Sequence, residues 1–278
     1  MNRPASRFPA RIATLLAWAY ALASCFPLVW LAMQSLRRDA DILGSPWGMP
    51  FPLHFDGYVR VFTETPISTY VVNSALVTAA VVLLAVAASL GGGYAFSRLR
   101  FPGSNAIFAV FMGVLVVPAP LLLLPVFLIS RDLGILNSYI GLIAPYAAGV
   151  LPLGVYLMKT HFDAVPDSYA EAAEMDRASA WQVFWHVMLP FARPVLATVA
   201  VLAFMSAWNE YIYALVSIRS SELFTLPIGL ADLDAKKTLY GYAPVFAAMV
   251  VTAIPVYVAF VVAQRSFVRT LGLSAGIK

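Results

Sequence analysis

"YVVNSALVTAAVVLLAVAASLGGGYAF" runs from Tyr70 to Phe96 without a charged residue. The hydrocarbon core of a bilayer takes about 20 apolar residues of helix, so this run is long enough to cross it. Its polarity does not alternate, as the strands of a membrane barrel would. The rest of the chain is built the same way. Of its 278 residues, 61% are hydrophobic and 12% are charged, against about 25% charged in ordinary soluble domains. That is too little polar surface to cover a water-soluble fold. The expected class is an all-α integral membrane protein.

Apolar stretches between charges mark six spans, near 12–34, 70–96, 105–128, 138–158, 194–217 and 242–264, the fifth interrupted by Glu210. They make one six-helix transmembrane domain over 12–264, between an N-terminal segment 1–11 and a tail 265–278. Lys and Arg near span ends set the orientation. With the N-terminus inside, Arg3, Arg7, Arg11, Arg98, Arg100, Lys159, Arg177, Arg193, Arg265, Arg269 and Lys278 fall on the inner side, eleven of the 18 basic residues. Eight of the 14 acidic residues then fall outside. Both termini are therefore expected in the cytoplasm. Arginines ahead of an apolar run, with "LASC" at Leu22–Cys25, have the look of a secretory or lipidation signal, but the run continues through "FPLVWLAM" (Phe26–Met33). That is about twice a typical signal core, so Cys25 is expected inside the first span.

Composition also excludes functions. A single cysteine rules out an intramolecular disulfide and a Cys-based zinc cluster. A net charge of +4 makes no case for nucleic acid. The 19 prolines and 16 glycines speak against an idealised straight bundle. Spans tolerate such residues where neighbouring helices satisfy the freed backbone groups. The small-residue run "SLGGGYA" (Ser89–Ala95) lacks the Gly-Lys-Ser/Thr ending of a nucleotide loop, and is expected to let helix backbones pack closely.

The most polar stretch is "EAAEMDRASAWQVFWHVMLP", Glu171–Pro190. In the expected orientation it lies in the cytoplasm between spans four and five. It reads as two short helices. "SYAE" (Ser168–Glu171) and "SAWQ" (Ser179–Gln182) both have capping-box spacing. Asp167, Glu171 and Glu174 suit the positive end of the first helix dipole. Ala170, Ala172 and Ala173 form helix readily and add little bulk, so another surface could approach closely. Trp181 and Trp185, Val183 and Val187, and Phe184 and Met188 stand four apart and make a broad apolar surface. Pro190 and Pro194 mark the turn into span five. Physics alone leaves two readings open for this helix–turn–helix platform: an interfacial helix that joins two spans, or a docking site.

The pattern E-A-A, D-x-A, W-x-x-F-x-x-V-x-L-P across Glu171–Pro190 resembles the EAA loop of ABC-importer membrane subunits. The resemblance implies that a loop over 163–190 forms the coupling helix seated in a cleft of the ATP-hydrolysing subunit. Glu171, Ala172, Ala173, Asp176, Arg177, Leu189 and Pro190 would then be the docking residues, with Glu171 making a charge-assisted hydrogen bond to a basic partner. The family usually has glycine after the aspartate, and this chain has Arg177. Glycine permits a left-handed turn residue; arginine in that conformation costs on the order of 1 kcal/mol. Either the turn is reshaped or Arg177 supplies a charge contact.

"NSALVTAAVVLLAVAASLGGGYAFSRLRFPG" (Asn73–Gly103), "AWNEYIYAL" (Ala207–Leu215), "TLPIGL" (Thr225–Leu230) and "QRSFVRTLGLSAGIK" (Gln264–Lys278) resemble the carbohydrate branch of that family, in particular the second permease subunit of maltose-type importers. The likeness covers the chain from about Tyr70 onward. It implies a permease of the bacterial inner membrane that moves a mono- or oligosaccharide by alternating access. Its partners would be a second permease, two ATPase subunits and an extracytoplasmic solute-binding protein. ATP and Mg²⁺ would sit on the ATPase subunits, with no cofactor on this chain. A sugar alcohol or glycerol phosphate is the alternative cargo.

His54, His161 and His186 are scattered, and no catalytic triad or metal-ligand cluster is evident. The chain itself is expected not to be an enzyme. Glu210 is the acid inside a predicted span, and an ionisable group there faces a cavity or a partner. With Trp208, Asn209, Tyr211 and Tyr213 beside it, two readings stand: a structural contact at the subunit interface, or the lining of a sugar path. Asn73 and Ser74 are weaker candidates of the same kind. A stand-alone secondary transporter would show paired repeats or several intramembrane ionisable groups. A membrane enzyme would need a polar cluster at one depth.

Overall fold

The computed structural model describes residues 7–99 and 101–275, with side-chain surroundings over 12–99 and 101–261. Arg3, Arg100 and Lys278, used above for orientation, lie outside the described residues, as do 1–6 of the N-terminal segment and 276–278 of the tail. The elements are α1 (Arg7–Gln34), α2 (Asp39–Gly44), α3 (Asp56–Thr63), α4 (Ile67–Arg98), α5 (Ser104–Gly113), α6 (Ala119–Asp132), α7 (Tyr139–Ala164), α8 (Ser168–Met175), α9 (Ala180–Val183), α10 (Leu189–Trp208), α11 (Ile212–Ser217), α12 (Leu226–Ala235), α13 (Lys237–Tyr240) and α14 (Tyr242–Ala275). No strand occurs among the described residues. Five stretches are helical, apolar and long enough to cross a membrane: Ile12–Gln34, Ile67–Arg98, Tyr139–Ala164, Ala180–Trp208 and Tyr242–Val261.

The third predicted span, 105–128, is not one straight helix. It is the pair Ser104–Val116 and Ala119–Asp132, bent by 109°. "VVPAP" at Val116–Pro120 explains the bend. A residue before proline is pushed out of the helical region, and Val117 is extended, with φ −78° and ψ 121°.

The fifth predicted span, 194–217, is displaced. Its helix begins at Ala180 and ends at Trp208. The expected turn at Pro190 and Pro194 is absent. Pro190 lies inside that continuous helix, directly after a turn of altered hydrogen bonding. The preceding turn widens into a π-helical segment, Phe184–Met188, in which the Leu189 N–H reaches back to the Phe184 carbonyl. The second platform helix is thus the start of the span itself.

Internal contacts gather the chain into two units, 1–68 with 230–254 and 69–229 with 255–278. In the first, the chain after α1 folds back on that helix. Trp30 Nε1 donates to the Pro46 carbonyl at 3.1 Å, and Gln34 Nε2 donates to the same oxygen. The Asp39 carboxylate takes the Ala243 N–H at 2.7 Å and pairs with Arg60 at 3.1 Å. Gly241 is at φ +95°, and a Cβ there would meet that carboxylate. Arg60 also donates to the Tyr240 carbonyl. One ion pair therefore fixes α2, α3 and the start of α14 together.

In the second unit α4 and α10 pack on α7, and the small-residue run explains how. A Cβ on Gly92 would touch Val155, one on Gly93 would run into Met158 and the Lys159 backbone, and one on Gly154 would strike Ser89. Gly91 faces open space. The run is a helix-packing face, as expected. Buried Met158, Phe162, Val183, Met188, Ala192 and Val199 form a core at one end of α7; Val77, Val81, Leu142, Tyr146, Tyr213 and Ile228 form one at the other.

Candidate functional site

α8 has two faces. Ala170 and Ala173 pack against the core of Met158, Phe162 and Val183. Glu171, Ala172, Glu174, Asp176 and Arg177 are exposed, and Met175 is 85% exposed. Of the three alanines, then, Ala172 is the one open to another surface. Leu189 is partly covered and Pro190 exposed, at the root of α10. Trp181 and Trp185 stand out from the second helix, 68% and 43% exposed. Between the helices a notch of about 280 Å³ is lined by Ala173, Asp176, Arg177, Ala178, Gln182, His186 and Val187.

The capping boxes divide. At "SAWQ" the box forms: the Gln182 N–H donates to Ser179 Oγ at 3.4 Å, and the Ser179 N–H to Gln182 Oε1 at 2.7 Å. At "SYAE" it does not. A capping residue needs extended backbone; Ser168 is already helical, and Asp167 before it has φ −60° and ψ −28°. The α8 exit forms a Schellman motif. The Ala178 N–H donates to the Ala173 carbonyl at 3.0 Å, and the Arg177 N–H to that of Glu174 at 2.9 Å. Arg177 takes the left-handed position at φ +58°. The turn keeps its left-handed shape with an arginine in place. Left-handed backbone costs a side-chain-bearing residue roughly 1–2 kcal/mol. Arg177→Gly is therefore expected to raise the melting temperature of the purified protein by roughly 2–4 °C, measured by thermal unfolding in detergent.

Arg98 was expected only as an orienting charge. It is the anchor of the platform. Its guanidinium donates to the Phe162 carbonyl and pairs with Asp167, and reaches the Val165 carbonyl at 2.6 Å. It thus adds donors to the carbonyls at the end of α7, where a cation also suits the dipole. Ser97 Oγ donates to Asp163 at 2.6 Å. The Tyr94 ring meets Phe162 at 5.8 Å and Phe184 at 4.9 Å. α4 therefore grips both the entry and the exit of the platform.

An open cavity of about 620 Å³ is bordered by α6, α7, the break after α10 and α11. Its lining is mainly apolar, with Ser130, Tyr146, Glu210 and Tyr213 as polar groups. Glu210 does not sit inside a continuous helix. α10 has ended at Trp208, and the carboxylate caps α11, accepting the Tyr213 N–H at 2.7 Å and the Ala214 N–H at 3.0 Å. Tyr146 donates to it from α7. Tyr213 donates to Ser130 at 2.8 Å.

The other path candidates lie apart from this cavity. Trp208 is buried and stacks on Phe204, centroids 5.5 Å apart. Asn209 donates to the Met205 carbonyl at 2.8 Å. Asn73 is buried and fully engaged: it donates to the carbonyls of Glu222 and Phe224 at 2.7 and 2.9 Å and accepts from Tyr139 at 2.8 Å. Ser74 Oγ accepts the Leu226 N–H at 2.7 Å. These two residues tie α4 to the chain entering α12.

Residues 82–272 match the family model of the "Binding-protein-dependent transport system inner membrane component". The chain is 32% identical over 254 residues to the diacetylchitobiose uptake system permease protein of Streptomyces coelicolor, covering 91% of this chain and 83% of that one. It is 31% identical over 258 residues to the trehalose/maltose transport system permease protein of Thermococcus litoralis, covering 92% of each. Its fold matches a chain of a bacterial ABC transporter involved in import of the acidic polysaccharide alginate, with TM-score 0.82, 26% identity and coverage of 95% of this chain and 98% of that one.

Proposed function

The chain belongs to the family of binding-protein-dependent transport system inner membrane components, the membrane permeases of ABC transporters, and from that premise we propose that it moves a mono- or oligosaccharide inward across the bacterial inner membrane. Carbohydrate cargo is supported by the named substrates of its relatives in Streptomyces and Thermococcus. The cavity lining holds one carboxylate, Glu210, and no cation, which favours a neutral sugar over an anionic glycerol phosphate. The family's name implies an extracytoplasmic solute-binding protein as partner.

The observation that carries the mechanism is the platform. α8 presents Glu171, Ala172 and Met175 outward, while its inner face and Arg98 fix it to α4, α7 and α10. One of a pair of ATPase subunits holding ATP and Mg²⁺ docks there, with Glu171 bonded to a basic residue of that partner. A second permease completes the translocation path. Nucleotide binding closes the ATPase pair, the platform is carried with it, and the spans rooted in the platform tilt between inward- and outward-open states. This chain hydrolyses nothing itself.

Affinity purification of the tagged chain from native membranes tests the assembly. A nucleotide-binding subunit and a second permease are expected with it. Recovery of the chain alone, active in proton- or sodium-driven uptake, overturns the reading. Glu210 is assigned to the path because its carboxylate borders the cavity. Glu210→Gln is expected to cut sugar uptake at least tenfold in an assembly of normal composition. Normal uptake removes Glu210 from the path.

A further inference from the structure

We propose that the segment from Trp47 to Phe55 is a membrane-interface anchor, seated at the headgroup–acyl boundary of the leaflet that borders the C-terminal end of α1. From Ile42 to Phe55 the chain carries no Asp, Glu, Lys or Arg. Within that stretch Trp47, Met49, Phe51, Leu53 and Phe55 recur at every second residue and are 47–78% exposed. Between them Pro50 is buried, Gly48 and His54 are partly covered, and Pro52 is exposed. The segment therefore presents one open apolar face at the period of an extended chain.

Its depth argues for lipid as the occupant. The Pro46 carbonyl is held by Trp30 and Gln34 of α1. From there the Trp47 ring turns back along the helix, with centroids 5.9 Å from Trp30 and 6.2 Å from Phe26. Those residues lie roughly 6 and 12 Å inside the Gln34 end at 1.5 Å rise per residue. They belong to the apolar stretch Ile12–Gln34, and Phe26 is itself 56% exposed. Trp47 thus extends the lipid-facing surface of a span; it does not project beyond the membrane end.

The chemistry agrees. Aromatic and other large apolar side chains beside a span end are the composition of an interfacial belt. Pro46, Pro50 and Pro52 remove N–H donors, so the segment offers a poor edge for strand pairing with another protein. The charges stand at its two flanks: Arg37, Arg38, Asp39 and Asp41 before it, Asp56, Arg60 and Glu64 after it. Both flanks then sit at headgroup level with the apolar face turned inward.

The test is a quenching measurement on the purified assembly in phosphatidylcholine–phosphatidylglycerol vesicles. Met49→Cys and Phe51→Cys, each in a Cys25→Ser background, are labelled with an environment-sensitive fluorophore. Doxyl groups on the upper acyl chain are expected to quench both at least twofold more than aqueous iodide does. Ser45→Cys, at the polar start of the segment, is expected to show the reverse order. Trp47→Phe supplies a label-free check: subtracting its spectrum should remove a component that brominated lipid quenches. Iodide-dominated quenching at Met49 and Phe51 places the segment in water and overturns the proposal. Protection from both quenchers that becomes lipid-accessible when the second permease is removed assigns the face to that subunit, and overturns it too.

Discussion

Glu171→Arg combined with Ala172→Trp is expected to strip the ATPase subunits from the purified assembly while leaving the second permease bound. Both side chains are exposed on the outer face of α8, so neither change disturbs the core. The first reverses the charge offered to a basic partner; the second fills the space through which that partner packs. Removing one member of a desolvated interfacial charge pair costs about 2–5 kcal/mol, or roughly 30-fold in affinity at the low end. Co-purification and sugar-stimulated ATP hydrolysis are the readouts. Retention of the ATPase at normal stoichiometry would place docking elsewhere. Ala173→Trp is the contrasting variant. Ala173 faces Met158, Phe162 and Val183, so a tryptophan there is expected to lower the yield of folded protein before it affects docking.

Gly93→Val is expected to lose most of the folded protein. A Cβ at this position would run into the Met158 side chain and the Lys159 backbone. The obstruction includes the backbone of α7, which no side-chain rotation can clear. Overpacking costs about 1–3 kcal/mol where neighbours can shift, so a drop in melting temperature of up to roughly 10 °C is expected. The recovery of monodisperse protein after size exclusion should fall with it. Gly91→Val, two residues away and facing open space, is expected to behave as wild type. Equal behaviour of the two variants would refute close α4–α7 packing.

The spans were legible because a bilayer demands length and apolarity, and both can be counted in one dimension. Counting is blind to local backbone constraint, which is why the break at Val117 went unread although Pro118 and Pro120 were in view. It is equally blind to capping. The apolar tally ran straight through Asn209 and Glu210, yet the chain leaves the helix there and spends the carboxylate on the N–H groups of Tyr213 and Ala214. On the platform, the residue types left a joining helix and a docking surface both open, and which alanines face outward depends on helix phase. Ala170 and Ala173, three apart, share the inner face. At Arg177 the glycine position of the pattern carried a backbone meaning, but the expected reshaping or charge contact gave way to a left-handed turn kept with the arginine in place. Arg98 was legible as a charge and illegible as an anchor, since its acceptors lie more than sixty residues away.

The absence of a turn at Pro190 changes the mechanics of coupling. Ala180–Trp208 is one rod of 29 residues, about 40 Å long at 1.5 Å per residue. Pushed at its cytoplasmic end, a stiff rod pivots where other helices grip it. Beyond the widened turn at most 20 residues, about 30 Å, separate that pivot from Trp208, so a tilt of about 5° sweeps the Trp208 end through roughly 2–3 Å. The widened turn at Phe184–Met188 lies on the driven side of that pivot. It sets how much of each stroke is transmitted and how much is absorbed as flexure.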